Sequence, residues 1–373
     1  MKDHKHLDSI DTVKGIGIIL VVIGHSTYVS EPVLTWLTSF HMPLFFIVSG
    51  ILFAHKNSHQ EPFGVYMRKR FCGMMLPYFW FSLIYIAVDY YYLYAHPEVI
   101  DQAFINSAIL QAVSLFGISV LWFLPAIFLG EMCLYGIIRN WPVWVIVLFA
   151  SVASWVPSVG MKLIQVYIDM ERGPFSTWLG NLLMALLRVF PALVFLLMGY
   201  GTYFLLRKLW LKASLEVLVG VLCLLLNLLI AFANGRVDMH FLVFHDVLLY
   251  YLGAFSASLG LILLCRHCRP FWLLGFLGSN SLIVMLTHLD CQVMSFAIRF
   301  AVGMDQFIPV AKGLLFRIHL YGALLAGELL MIVLVGKVGF FLIGRKTPLP
   351  LQGPGWIRKA VLKKRGRKFK RLK

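Results

Sequence analysis

The chain has 373 residues and a mass of 42.5 kDa, with 60% hydrophobic residues, 13% charged residues and a mean hydropathy of +0.83. Soluble domains run at about 45–50% apolar and about 25% charged, so a water-soluble globular enzyme, a disordered chain and a disulfide scaffold are excluded. The formal charge of +16 says little about the body of the chain: ten basic residues lie between Arg358 and Lys373, and subtracting them leaves +6.

Crossing a hydrocarbon core of about 30 Å takes about 20 apolar helical residues. Apolar runs occupy roughly 13–30, 33–54, 71–94, 121–138, 141–157, 182–206, 213–233, 245–265, 271–290 and 313–344. This pattern predicts an all-α integral membrane protein with about ten transmembrane helices in one bundle. The fifth run is short, and the last is long enough to tilt or break. Residues 107–120 are apolar but too short to span, and read as an interfacial or re-entrant piece. Basic residues collect in alternate connections: Lys56, Arg68, Lys69 and Arg70; Arg139; Arg207, Lys208 and Lys212; Arg266 and Arg269; Arg345 and Lys346. The opposite loops hold fewer, namely Lys162, Arg172, Arg236, Arg299 and Lys312. By the positive-inside rule both termini are expected in the cytoplasm. One membrane domain, 1–346, is expected to precede a basic cytoplasmic tail, 347–373. A basic run placed directly after a span touches anionic lipid. Its one aromatic residue, Phe369, is too little for the repeated base stacking that single-stranded nucleic acid requires, so membrane lipid is an expected partner and nucleic acid is not.

The first run carries ionisable groups inside an apolar segment. Asp11 lies one helical turn before Lys14 and can pair with it. Lys14 and His25 are eleven residues apart, which puts them within about 20° of one helix face and about 16 Å apart along the axis. Ionisable groups inside a span are costly and mark functional sites; the competing reading has Lys14 snorkelling to the interface and His25 bonding between helices.

Asp11-x-x-Lys14-Gly15 followed by an apolar run to His25 resembles the first helix of the membrane-bound acyltransferase family 3. Its members usually carry arginine where Lys14 stands. Met42-Pro43-Leu44-Phe45-Phe46 with Ser49-Gly50, the basic Arg68-Lys69-Arg70 leading to Leu76-Pro77-Tyr78, Leu121-Trp122-Phe123-Leu124-Pro125 with Glu131, and Ser281 to His288 are similar to later stretches of that family. Lysine at 14 keeps the charge but loses the bidentate fork of arginine, and Gly73 stands where a further basic residue is expected.

The resemblance implies transfer of an acyl group, usually acetyl, from a coenzyme A thioester to a hydroxyl of a cell-envelope sugar, glycan or lipid-linked saccharide, in a bacterial inner membrane. Acetyl-CoA or another acyl-CoA is then the donor and a saccharide the acceptor; self-association is left open. A histidine is a suitable general base for a hydroxyl, so His25 is the expected base. Asp11 is expected to orient Lys14, and Lys14 to bind donor phosphate or thioester oxygen. Arg68, Lys69 and Arg70 are the expected landing site for the polyanionic donor. His41, Ser49, Glu131 and His288 are the expected substrate contacts. No Gly-x-Ser-x-Gly elbow surrounds Ser49, so direct transfer is favoured over an acyl-serine. Cys265-x-x-Cys268 lacks a second pair, and no metal is expected. The rival reading is a proton-coupled transporter using His25, Asp89, Glu131, Arg188, His288 and Glu328 as a relay, although no two related halves are visible.

Overall fold

The computed structural model describes residues 2–26, 28–208, 212–268, 271–307 and 313–349. The basic tail beyond residue 349 lies outside the described residues. The helices, in chain order, are α1 (Lys2–Gly24), α2 (Glu31–Thr38), α3 (His41–His55), α4 (Phe63–Ala95), α5 (Gln102–Val113), α6 (Phe123–Asn140), α7 (Val143–Ala153), α8 (Val156–Tyr167), α9 (Pro174–Leu187) and α10 (Val189–Lys208). They continue with α11 (Ala213–Asn234), α12 (Val247–His267), α13 (Trp272–Ser279), α14 (Ser281–Thr287), α15 (Val293–Phe307) and α16 (Leu314–Lys337). Among the described residues, extended pairing is confined to one bridge between Asp238 and Val243.

Among the described residues, eight helical stretches are long and apolar enough to cross a membrane: α2–α3, α4, α6 with the 3-10 turn before it, α7–α8, α9–α10, α11, α12 and α16. The two expected runs outside this set are the first, interrupted by Asp11 and Lys14, and 271–290, which is split into α13 and α14. These two pack on each other. Gly15 of α1 faces the Leu274 backbone and Gly278 of α13 faces that of Asp11, at contact distances that leave no room for a Cβ at either position. Gly50 of α3 and Gly199 of α10 make the same kind of backbone contact with Leu196 and Ile47. In lipid, such small-residue contacts supply packing that a hydrophobic drive cannot. α1, α3, α10 and α12 therefore form the centre, while α7, α8, α11 and α16 expose apolar side chains outward.

Prolines set the breaks. A proline ring clashes with the carbonyl four residues earlier and lacks the amide that would bond to it. Pro43, Pro125, Pro157 and Pro191 therefore break their helices near residues 39, 121, 153 and 187, and each then sits in the first turn of the next helix, where its missing amide costs nothing. Two breaks shape the site: the one at Ser39–Phe40 lies beside His41, and the one between α9 and α10 falls at Arg188.

Four expectations are refined. The first run ends as a helix at Gly24, so His25 stands just beyond it rather than within a span reaching residue 30. The 107–120 piece is α5, capped by the Asp101 carboxylate on the Phe104 amide (2.8 Å), followed by a tight irregular segment. There Gly117 has φ +85° and its α-carbon faces the Trp122 amide, so only glycine fits. The last run breaks after Lys337 into a 3-10 turn, Phe340–Ile343. α15 was not expected: Arg299 and Asp305 interrupt its apolar run, but Val293, Met294, Ala297 and Ala301 form one face against Phe316, Leu320 and Leu324 of α16.

Candidate functional site

Among the described residues, the expected site residues fall into two polar constellations. The first is at the C-terminal end of α1. His25 Nδ1 is 2.9 Å from the Val21 carbonyl and 3.3 Å from His288 Nε2. His288 Nδ1 is 3.0 Å from the carbonyls of Val284 and Met285. Carbonyls only accept, so both Nδ1 atoms carry hydrogen. His288 Nε2 is then a lone-pair acceptor facing the His25 Nδ1–H, and His25 Nε2 keeps its lone pair. The rings are tilted 57° with centroids 5.0 Å apart. His288 is fully buried, whereas His25 is exposed.

His25 opens onto a cavity of about 300 Å³ lined by His41, Trp122, Asp238, His240 and Met285, among others. At the break before α3 the Leu37 carbonyl, which takes the Phe40 amide at 3.3 Å, also accepts the His41 Nδ1–H at 2.6 Å, again leaving Nε2 as an acceptor. The opposite wall is the loop between α11 and α12. Asp238 Oδ1 accepts the amides of His240 (2.8 Å) and Phe241 (3.1 Å), and Asn234 ties the loop ends through the Phe244 carbonyl and the Asp246 amide.

Arg188, at the Pro191 break, fastens this loop to the segment before α6. Its Nε donates to the His240 carbonyl (2.7 Å) and its Nη1 to the Phe116 carbonyl (2.6 Å). Its guanidinium lies 4.0 Å from the Phe116 ring centroid, while the Trp122 and His240 rings are nearly parallel at 5.6 Å. Burial among these rings, with the nearby Arg188 cation, pushes the His240 imidazole down to about 3, so it stays neutral.

The second constellation lies toward the expected inner side. Tyr66 and Arg70 are four apart on α4 and share its inward face. Arg70 makes a two-pronged ion pair with Glu131, which also accepts from Ser49 Oγ (2.7 Å) and Tyr66 OH (2.9 Å). Arg68 and Lys69 fall on other faces of the helix: Arg68 is exposed, and Lys69 reaches Glu61 at 3.2 Å. Asp11 pairs Lys14 at 3.5 Å, as their spacing predicts. Lys56, at the end of α3, is held below the usual lysine range by burial of part of its length and by the charges of Arg70, Lys69 and Lys14.

An acyltransferase domain family matches residues 7–344. The chain belongs to acyltransferase family 3. Neither a curated protein nor a solved structure gives a match. The chain is therefore a multi-helix membrane acyltransferase.

Within this acyltransferase the expected site residues divide into two groups. His25, His41 and His288 come together at one end; Ser49, Arg70 and Glu131 come together at the other, with Lys14, Asp11 and Lys69 nearby. The expected basic run is split, because consecutive helical residues point about 100° apart: Arg70 turns inward to a carboxylate, and Arg68 points outward. Of the expected substrate contacts, Glu131 accepts from both Ser49 and Arg70, and His288 lies behind His25 rather than on the cavity. The reading missed Asp238, His240 and Lys56. A signal was present: residues 235–246 (GRVDMHFLVFHD) place five ionisable residues in one short connection between two long apolar runs.

Proposed function

We propose that the chain transfers an acyl group, usually acetyl, from cytoplasmic acyl-CoA to a hydroxyl of a cell-envelope saccharide, with His25 Nε2 as general base. The observation that carries this reading is the held imidazole: its Nδ1–H is fixed by Val21 and His288, and its free lone pair adjoins an accessible cavity. As the acceptor oxygen attacks the thioester carbonyl, its proton passes to His25 Nε2. The tetrahedral intermediate then expels the coenzyme A thiolate, which takes up that proton and leaves as the thiol, and the acyl group remains as an ester. His288 Nε2 accepts from the His25 Nδ1–H throughout and supports the imidazolium while it lasts.

The donor residues fit a polyanion by charge. Lys14, Lys56, Arg68 and Lys69 are gathered toward one end, and among the described residues only Asp11 and Glu61 form ion pairs with members of this group. Phosphate oxygens placed among them relieve the mutual repulsion felt by Lys56. Arg70 is better read as a strut that holds Glu131 and Ser49, which favours direct transfer over an acyl-serine. In this reading α1 and α13–α14 join the eight apolar stretches to make ten crossings with both termini in the cytoplasm of a bacterial inner membrane. The thioester arm then reaches His25 from the inner side and the acceptor from the outer side.

The test is acetyl transfer from labelled acetyl-CoA by the purified full chain in lipid nanodiscs, supplied with envelope glycan. His25→Ala is expected to lose roughly 10²- to 10⁴-fold in rate, the usual contribution of a general base. Transfer at the normal rate by that variant would sink the assignment.

A further inference from the structure

We propose that Arg188 is a positioning residue for the acceptor side of the reaction: its one guanidinium holds two irregular backbone segments, which wall the cavity beside His25, at a fixed separation. The proposal rests on the reading of His25 as the base and concerns the wall that faces this base.

The backbone shows why such a hold is needed. Ser119, Val120 and Trp122 line the cavity from the segment between α5 and α6, and Asp238, Met239 and His240 line it from the loop between α11 and α12. Both segments leave the α-helical ladder, and both carry positive φ at residues with side chains. In the first these are Leu115 (+59°) and Ser119 (+50°), and in the second Leu242 (+57°) and His245 (+53°). Such conformations persist only where the surroundings over-determine them, and they gather at functional sites. Irregular backbone inside a membrane protein also needs partners for the polar groups that a helix would have satisfied.

Arg188 supplies the hold from a third element, the break between α9 and α10, where it is 1% exposed. Its Nε takes the His240 carbonyl and its Nη1 the Phe116 carbonyl. These two nitrogens belong to one rigid plane, so the two carbonyls are fixed relative to each other. The rings follow the backbone: the guanidinium lies 4.0 Å from the Phe116 centroid and 5.5 Å from that of Trp122, and Trp122 stacks on His240 with 4° between the planes. The Asp238 charge attracts the same cation. Nη2 has no hydrogen-bond partner, so among the described residues the two carbonyls are the whole of this side chain's hydrogen bonding. The other side-chain hydrogen bonds of the loop stay within it or reach Asn234 and Leu249 at its ends, apart from the exposed contact of Arg236 with Glu31. Without Arg188 the separation of His240 from Phe116 is no longer set, and neither is the distance from Asp238 and His240 to His25. An acceptor that touches this wall and the base together then binds less well, while the basic cluster at the other end is untouched.

The test uses the full chain in nanodiscs with two variants: Arg188→Met, which fills the space without donors, and Arg188→Lys, which keeps the charge but loses the planar fork. Rates with labelled acetyl-CoA and envelope glycan give a KM for each substrate. Arg188→Met is expected to raise the acceptor KM at least about ten-fold, the scale of losing hydrogen bonds from a charged donor, with the KM for acetyl-CoA within about two-fold of the wild type. Arg188→Lys is expected to fall between the two. A second arm needs no turnover. In a cysteine-free background, spin labels are placed on Val113→Cys, at the end of α5, and Val243→Cys, in the loop, both at exposed positions. The distance between them is expected to be narrowly distributed with Arg188 in place and broader in Arg188→Met. A fall in kcat with both KM values unchanged, equal rises in both KM values, or an unbroadened distance distribution would each overturn the positioning role. Where Arg188→Met fails to fold, Arg188→Lys decides by the same criteria. Broadening in Arg188→Met, in a chain that transfers no acetyl group even with Arg188 present, would instead overturn the proposed reaction and leave the hold on the two segments standing.

Discussion

An imidazole serves as a base when its proton-bearing nitrogen is held and the other is free, and His25 meets both conditions through a second histidine. His288 is a positioning residue: it touches His25 and lies off the cavity. Loss of its acceptor lets the His25 ring rotate and removes support for the imidazolium. His288→Ala is therefore expected to lower kcat by about 10- to 100-fold, a part of the usual general-base contribution, with KM for the acceptor little changed. The sign of the pH effect follows, since a less supported imidazolium gives up its proton more readily and moves the acid limb of the pH–rate profile to lower pH. His288→Gln, whose amide oxygen can accept from Nδ1–H, is expected to recover part of the rate. An unshifted profile in His288→Ala would argue for a packing role alone. At the other constellation, the Glu131 side chain is 1% exposed and its charge is met by Arg70. Arg70→Met strands that carboxylate and is expected to cost about 3–5 kcal/mol, read as a large fall in melting temperature. Arg68→Met, at an exposed position, should leave the melting temperature unchanged.

Helix contacts in this chain are decided by where a Cβ is missing. At Gly15 and Gly278 the α1 and α13 backbones touch, and at Gly50 and Gly199 those of α3 and α10 do. Gly278→Ala is expected to push α13 off α1 and to destabilise by about 1–3 kcal/mol or more, as overpacking does, with loss of activity because α13 leads into α14 and His288. Gly136→Ala, where nothing lies within 4 Å of the added carbon, should be neutral or stabilising by up to about 1 kcal/mol. Thermal unfolding of both variants in one detergent checks the contrast. These contacts were not legible from composition, because a contact glycine and a lipid-facing glycine look alike in one sequence. The apolar runs were legible, since the bilayer fixes their length. α15 was not, because its face is read by only four buried positions between ionisable residues. The site shows the same division: His25 and Lys14 stand out as polar groups in an apolar run, and Glu131 and Arg70 were both named, but nothing local says that they pair across 61 residues of sequence. Asp238 lay in a connection judged only for its positive charge.

At the scale of the whole molecule, the two constellations mark two ends, and the reaction proposed here needs those ends to face different compartments. The basic end, with Lys56 and Lys69, must meet acyl-CoA, which is made and kept inside the cell. The histidine end, with the loop bearing Asp238, must meet the acceptor. α1 links them, with Lys14 and His25 about 16 Å apart along its axis. The alternation of charged loops makes a definite forecast for exposed positions at each end. In a cysteine-free background, Glu98→Cys, in the connection between α4 and α5, should react with a membrane-impermeant maleimide in intact cells. Gln60→Cys, in the connection between α3 and α4, should react only after permeabilisation. Both positions are exposed, so burial does not confuse the result. Labelling of both from outside would place the basic cluster away from the donor and defeat the two-sided mechanism. The reverse pattern would put His25 inside, where the acceptor would have to be a cytoplasmic saccharide acylated before export.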